Sequence, residues 1–190
     1  WTSWSEPAYW QMGLFADDWS AHWIGSAEME SQSVGGRPVD NKMFDPWFRK
    51  TFTLTESLKE ALIYVASIGY HELYVNGCKI GNAVLAPSVT DHKSRARYVT
   101  YDISHYLKKG ENVIALWLGT SWAVFPAYQR NDKPAIPMAL AQAEITLTSG
   151  SKVRVITDGS WKTHASPNVL MGYWDAHHFA GEFYDASLEI

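Results

Sequence analysis

The hydrophobic and polar positions of this chain alternate with a period of two over many short runs. Successive side chains of a β-strand point to opposite faces, so this alternation predicts strands that each bury one face. Turn signals that contain glycine, proline or asparagine separate the runs. We predict strands at 48–54, 61–67, 70–75, 97–103, 112–118, 138–148, 152–157 and 179–188.

The stretch GYHELYVNGCKIG at 69–81 predicts a β-hairpin. Asn76-Gly77 suits a type I′ turn, because both residues tolerate the positive φ angles that this turn requires. We expect Val75 to pair with Cys78. The predicted core face then carries Leu73, Val75, Cys78 and Ile80. The predicted outer face carries Glu72, Tyr74 and Lys79.

No run has the length and apolar period of an amphipathic helix, and the short helical candidates lie at 56–60 and 104–107. The run 113–118 is almost wholly apolar, which predicts a strand covered on both faces with Trp117 in the core. Two polar or proline-rich stretches, 26–41 and 123–137, predict exposed loops. Many short strands with intervening turns indicate an all-β sandwich of jelly-roll type.

Composition narrows the possible partners. The 190 residues carry a formal net charge of −4 and no basic run longer than two residues, which argues against nucleic acid or an anionic membrane as partner. No apolar run approaches the roughly 20 residues that span a bilayer. The single cysteine, Cys78, excludes an internal disulfide, and its expected place on the core face makes it a poor nucleophile candidate.

Aromatic residues are abundant, with ten Trp and ten Tyr, and five of the Trp lie between positions 1 and 23. A segment this short cannot fold alone, so we expect 1–24 to form an arm that comes from a preceding domain. The β-sandwich would then occupy 25–190. A first residue that is not Met and a final SLEI also predict a segment of a longer polypeptide.

Several stretches together resemble the N-terminal β-sandwich module of bacterial α-L-rhamnosidases. They are WSEPAYWQMGLFADDWSAHWIG at 4–25, WFRKTFTL at 47–54, the whole of 69–119, and GEFYDASLE at 181–189. The hairpin alone resembles the galactose-binding-like jelly rolls attached to several glycoside hydrolases. The rhamnosidase resemblance covers almost the whole chain.

The resemblance implies a parent enzyme that hydrolyses terminal α-L-rhamnosides with inversion, using carboxylates on a separate (α/α)₆ barrel that this chain lacks. It thus implies a non-catalytic accessory domain that contacts other domains of the same polypeptide and braces the barrel. In some members the similar module instead binds L-rhamnose through a calcium ion. The family occurs on both sides of the cytoplasmic membrane, and we expect an extracytoplasmic location here.

The resemblance points to loops as the place for a sugar or a calcium ion. Candidate carbohydrate-binding residues are Asp91, His92, Trp122 and Tyr128. Asp91 and Asn131 are the candidate calcium ligands, since calcium takes carboxylate and amide oxygens. His92 stands where the family has an aromatic residue. In a competing interpretation Asp91 caps a turn, Asn131 lies in solvent, and the aromatic side chains contact a neighbouring domain.

Two pairs of acidic residues are conceivable catalytic carboxylates. Glu182 and Asp185 would point to opposite faces of a strand, which does not suit the geometry of a glycosidase. Asp17 and Asp18 are more simply explained as a turn or a helix cap. We therefore predict no catalytic residue in this chain.

Overall fold

The computed structural model describes residues 3–8, 10–26, 42–92, 94–119, 136–171 and 181–189. Eleven β-strands make up most of these residues. They are β1 (Ile24–Gly25), β2 (Lys42–Leu54), β3 (Leu58–Ile68), β4 (Tyr70–Val75), β5 (Cys78–Lys79), β6 (Tyr98–Asp102), β7 (Gly110–Gly119), β8 (Met138–Leu147), β9 (Lys152–Ile156), β10 (Lys162–Met171) and β11 (Gly181–Tyr184). The described residues also include three short 3₁₀ helices, at Ala16–Asp18, Ser104–Tyr106 and Ala186–Leu188.

The strands form two antiparallel sheets. Sheet A has the order β1-β8-β3-β6, with β9 also paired to β8. Sheet B has the order β11-β10-β2-β7-β4-β5. The inner faces of the two sheets pack together, which confirms the predicted all-β sandwich of jelly-roll type.

The hydrophobic core lies between the sheets. Alternate residues of each strand enter it, as the period-two pattern predicts, and the core side chains from both sheets are almost completely buried. Sheet A contributes Ala61, Ile63, Val65, Ala139, Ala141, Ala143 and Ile145. Sheet B contributes Phe48, Leu54, Leu73, Val75, Ile114, Leu116 and Leu118.

The eight predicted strands all overlap observed ones, but β1 and β10 were missed and β2 starts earlier than predicted. The helix predicted at 56–60 is wrong, because β3 already begins at Leu58. Glu56 lies in the turn before β3, where its carboxylate accepts hydrogen bonds from the amide and hydroxyl of Ser149 at 3.2 and 2.8 Å. These bonds fasten the turn to the β8–β9 connection. The short helix predicted at 104–107 is present as a 3₁₀ turn.

The hairpin formed by β4 and β5 has the predicted register and turn. Val75 pairs with Cys78, and the φ angles of Asn76 and Gly77 are 49° and 83°. Leu73, Val75 and Ile80 are buried, but Cys78 is exposed. The prediction that Cys78 lies in the core is therefore wrong: it follows the turn directly, where the sandwich does not cover it.

Asn76 does more than form the turn. Its side-chain oxygen accepts a hydrogen bond from the Val113 amide at 2.9 Å, and its Nδ2 donates to the Asn112 Oδ1 and to the Tyr106 carbonyl. Asn112 is fully buried and also bonds the backbone of Lys108. The hairpin tip is thus joined to β7 and to the 3₁₀ helix before it.

We expect Asn76→Ala to lower the free energy of unfolding by about 2 kcal/mol. The substitution removes three hydrogen bonds, deprives the buried Asn112 of one donor, and places alanine at a positive φ. Urea unfolding followed by circular dichroism measures the change. Asn82→Ala, at an exposed position just after the hairpin, is the control and should change the value by less than about 0.5 kcal/mol. Equal effects of the two substitutions would contradict this role.

The outer face of strand β7 is less buried than predicted. Ile114, Leu116 and Leu118 are buried, whereas Val113, Ala115 and Trp117 alternate with them and are half-buried. The predictions that this strand is covered on both faces and that Trp117 enters the core are wrong. Trp117 lies on the outer face of sheet B, in a groove that belongs to the candidate site.

Candidate functional site

The outer face of sheet A is covered by the N-terminal arm. Trp19 packs edge to face against Tyr64 and Tyr98, with ring centroids 6.4 and 5.5 Å apart. Tyr64 is only 3% exposed although it points away from the sandwich core. The second half of the arm therefore forms a third layer over this sheet.

Gln142 and Thr157 hold the arm in place through its backbone. Gln142 is fully buried; its Oε1 accepts from the Ser20 amide at 2.7 Å and its Nε2 donates to the Asp18 carbonyl at 2.9 Å. The Thr157 hydroxyl donates to the His22 carbonyl at 2.7 Å. Because a buried polar group that is left unpaired costs free energy, these residues specify where the arm lies.

The first half of the arm is different, because its large apolar side chains face solvent. Trp4 and Trp10 are 98% and 85% exposed, and Met12 and Phe15 are also exposed. Monomeric proteins seldom expose large apolar side chains in such density unless a partner covers them. The arm thus combines an anchored part with an apolar part that is available for contact.

The outer face of sheet B carries an open groove of about 590 Å³. We call it the sheet B groove. Strand register arranges its side chains in two rows across the sheet. One row contains His164, Trp47 and Trp117, and the next contains Lys162, Arg49, Ala115 and Tyr74. The Trp47 and Trp117 rings meet edge to face, with centroids 5.9 Å apart.

A small polar network borders this groove on the hairpin side. Glu72 forms an ion pair with Lys79 and accepts a hydrogen bond from the Tyr74 hydroxyl at 2.6 Å. Partial burial alone would raise the pKa of Glu72, but the hydrogen bonds from Lys79 and Tyr74 outweigh it and keep that pKa below its usual value. Burial, together with the bond to Glu72, raises the pKa of Tyr74 to about 12. Near neutral pH the network therefore holds a carboxylate and an intact phenol.

His71 is a buried titratable residue at the start of β4. Its Nδ1 lies 2.9 Å from the Ser67 hydroxyl and its Nε2 lies 3.0 Å from the Tyr101 hydroxyl. Burial lowers the pKa of His71 to about 4, because an imidazolium would lose its hydration there. Its hydrogen-bond partners are neutral hydroxyls, so His71 is a structural residue that is uncharged at neutral pH.

Of the predicted site residues, only Asp91 and His92 lie in the described part of the chain. The Asp91 carbonyl accepts from the Ser94 and Arg95 amides, and its Oδ2 accepts from the Ser94 hydroxyl at 3.0 Å. His92 Nδ1 lies 3.5 Å from the Thr90 hydroxyl, a weak contact at best. Trp122, Tyr128 and Asn131 lie outside the described residues, so their role in carbohydrate or calcium binding stays a prediction.

The described residues contain no group of three or more His, Cys, Asp or Glu side chains that could hold a metal ion. Asp91 offers one carboxylate, which does not make a calcium shell of six to eight oxygens. The described part of the chain therefore does not fit calcium by itself. In that same part, no helix is both long and apolar enough to cross a membrane.

The acidic pairs that are conceivable catalytic carboxylates have structural contacts. Asp18 Oδ2 accepts from the Phe15 amide at 2.8 Å across the first 3₁₀ turn. Asp185 accepts from the Ser187 amide and hydroxyl, and so caps the last 3₁₀ turn. Glu182 lies on β11 and is exposed. The contact of Asp18 agrees with its interpretation as a turn or cap residue. The prediction that Glu182 and Asp185 share a strand is wrong, because β11 ends at Tyr184 and Asp185 caps the 3₁₀ turn that follows.

The sheet B groove was not predicted from the sequence: Tyr74 was placed on the outer face of the hairpin and Trp117 in the core, and the other lining residues were not named as site residues. Trp47 and Arg49 are two positions apart at the start of the strand predicted at 48–54, and extending that strand by one residue would have placed them on one face. The partners from β10 could not be found, because Pro167 and several polar residues hide that strand. The alternation along β7 is hard to recognise because the run is apolar at nearly every position.

Residues 56–190 match the family described as the alpha-L-rhamnosidase N-terminal domain, which is more than half of the chain. The chain belongs to this family. An α-L-rhamnosidase of Formosa agariphila is 30% identical over 197 residues, covering 100% of this chain and 20% of the relative. The resemblance noted from the motifs is thereby confirmed.

Solved structures agree with this assignment. An α-L-rhamnosidase from Dictyoglumus thermophilum superposes with a TM-score of 0.75 at 31% identity, over 92% of this chain and 19% of that one. A Streptomyces avermitilis α-L-rhamnosidase, solved in complex with L-rhamnose, gives a TM-score of 0.64 at 28% identity, over 75% of this chain and 14% of that one. The chain thus spans about a fifth of the length of the curated relatives it matches.

Proposed function

We propose that this α-L-rhamnosidase N-terminal domain is a non-catalytic accessory domain that braces the rest of a larger polypeptide through its N-terminal arm. The observation that carries the proposal is the division of the arm into two halves. Residues 18–25 are fixed to sheet A by partly buried hydrogen bonds to Gln142 and Thr157 and by strand pairing. In the part before them, the large apolar side chains of Trp4, Trp10, Met12 and Phe15 are exposed to solvent.

The proposed parent enzyme hydrolyses terminal α-L-rhamnosides with inversion, and its catalytic carboxylates lie on an (α/α)₆ barrel. Two observations support a larger parent enzyme with its catalytic residues outside this domain. The chain spans about a fifth of relatives named α-L-rhamnosidase. The carboxylates Asp18 and Asp185 are engaged in turns rather than gathered around a cleft.

Bracing requires a rigid attachment to one domain and an apolar surface that can bind another, and the arm has both. The anchored half cannot shift without exposing the Gln142 amide and the Tyr64 ring, which are buried under it. The exposed half carries two Trp, one Met and one Phe, and burial of one large apolar side chain is worth about 1.5–3 kcal/mol. Contact through this half would therefore hold a neighbouring domain at a defined position on sheet A.

We expect Trp10→Ser to lower the free energy of unfolding of the larger polypeptide by about 2 kcal/mol. In the 190-residue chain alone the same change should have an effect below about 0.5 kcal/mol, because Trp10 is already 85% exposed. Urea unfolding of both proteins, with and without the substitution, measures the difference.

Val84→Ser is the matched control, because Val84 is an exposed apolar residue that lies outside the arm. Equal effects of Trp10→Ser in the short and long proteins would contradict bracing by the arm. Hydrolysis of an aryl α-L-rhamnoside by the 190-residue chain alone would contradict the non-catalytic role.

Calcium-assisted recognition of L-rhamnose is the second candidate function. The observation that favours it is that the Streptomyces avermitilis relative was solved in complex with L-rhamnose. Titration of the chain with L-rhamnose, with and without a calcium chelator, separates the two candidates. Binding that is abolished by chelation and by Asp91→Ala would favour this second function, and absence of binding under both conditions would exclude it.

A further inference from the structure

Two cations lie side by side on the outer face of sheet B. Arg49 and Lys162 are direct cross-strand partners on β2 and β10, and both are exposed. Within the described part of the chain neither forms an ion pair with a carboxylate; the two ion pairs found there are Lys79–Glu72 and Arg154–Glu144. Like charges placed directly opposite on a sheet are destabilising. An anion bound between them would remove this repulsion.

The aromatic part of the sheet B groove adjoins these cations. Trp47 is two residues from Arg49 on β2. The cross-strand partner of Trp47 on β7 is Trp117. Both indoles are half-buried, and the volume of about 590 Å³ falls within the range of small-ligand sites. Flat aromatic surfaces beside a few charged groups provide apolar contact and orientation together.

We propose that the sheet B groove binds an anionic carbohydrate. A sugar ring lies against Trp47 and Trp117, and its carboxylate or sulfate group lies between Arg49 and Lys162. Arginine and lysine both donate charge-assisted hydrogen bonds to such oxyanions, and arginine can do so with two parallel bonds. The site is on the sheet opposite to the arm, so it does not depend on the bracing function.

The far side of the groove favours a saccharide over an acidic protein segment. There Glu72 is held as a carboxylate by Lys79 and Tyr74, at the end of the row that contains Trp47 and Trp117. A carboxylate accepts hydrogen bonds from sugar hydroxyls, whereas the side chains of aspartate and glutamate have no proton to donate to it at neutral pH. Membership of an α-L-rhamnosidase family agrees with a carbohydrate partner.

The test is a titration of the 190-residue chain with three saccharides: an oligogalacturonate, a sulfated galactan oligosaccharide and a neutral dextran oligosaccharide. Binding is followed by calorimetry and by tryptophan fluorescence. We expect at least one anionic saccharide to bind and the neutral one not to bind. Arg49→Gln and Lys162→Gln should each weaken the binding about tenfold, since each removes a charge-assisted hydrogen bond. Both positions are exposed, so the variants are expected to fold, and circular dichroism checks this.

Lys152→Gln is the matched control, because Lys152 is an exposed lysine on β9 of the other sheet. The Lys152→Gln variant should bind the anionic saccharide with the same affinity as the unaltered chain. Binding of the oligogalacturonate alone or of the sulfated oligosaccharide alone supports the proposal and identifies the anionic group. Absence of binding to both, an equal loss in Lys152→Gln, or binding of a polyaspartate peptide but of neither anionic saccharide would overturn it.

Discussion

Gln142→Leu should lower the free energy of unfolding by about 3 kcal/mol and detach the N-terminal arm from sheet A. Leucine is close to glutamine in size, so packing changes little, but the hydrogen bonds to Asp18 and Ser20 are lost. Each buried polar group left unpaired costs about 1–3 kcal/mol. The arm can recover these bonds from water only by leaving the sheet, which exposes Trp19 and Tyr64.

Urea unfolding measures the change in stability, and limited proteolysis measures detachment of the arm. Gln11→Leu is the matched control, because Gln11 is exposed and lies on the arm itself. The Gln11→Leu variant should have nearly the same free energy of unfolding and the same rate of proteolysis as the unaltered chain. A Gln142→Leu protein that unfolds within about 1 kcal/mol of the unaltered chain and resists proteolysis equally would show that Gln142 is not the anchor.

Acidification from pH 6.5 to pH 4 should remove about 3 kcal/mol of stability through His71. Burial lowers its pKa from 6.5 to about 4 in the folded protein. Between these pH values the unfolded chain binds a proton at His71 and the folded chain does not, so stability falls as the pH falls. The contribution is complete above pH 6.5, and the loss is complete below about pH 4.

Urea unfolding at about pH 7 and about pH 4.5 measures most of this loss. His71→Gln should be less stable near neutral pH, because its bonds to Ser67 and Tyr101 change, but its stability should depend less on pH. His105→Gln, at an exposed position, should keep the dependence of the unaltered chain. If His71→Gln and the unaltered chain lose the same amount on acidification, His71 is not responsible.

Local patterns were enough to predict the hairpin and most strands. Asn76-Gly77 specifies a turn because few residue pairs tolerate two positive φ angles, and this turn sets the pairing of Val75 with Cys78. Alternation specifies a buried face wherever polar residues mark the other face, as in Leu58–Ile68 and Met138–Leu147. The motifs led to the α-L-rhamnosidase N-terminal domain, which the comparisons confirm.

Features that depend on distant residues could not be predicted in this way. Cys78 follows the core-face pattern but lies where no other described element covers it. The groove requires β10 beside β2, and β10 is interrupted by Ser166, Pro167 and Asn168 at an irregularity in its register. Pairing of Arg49 with Lys162 joins positions that lie far apart in the chain, and no local pattern encodes such a pairing.

The attachment of the arm also constrains the order in which the protein can be built. Asp18 and its partner Gln142 are 124 positions apart, and His22 and Thr157 are 135 apart. A ribosome makes the arm first, yet the groups that hold it exist only after β8 and the residue following β9 have been synthesised. The apolar N-terminal segment therefore remains unanchored until these residues have been made, and exposed apolar segments are prone to aggregate. Its protection during that interval must come from outside the sandwich.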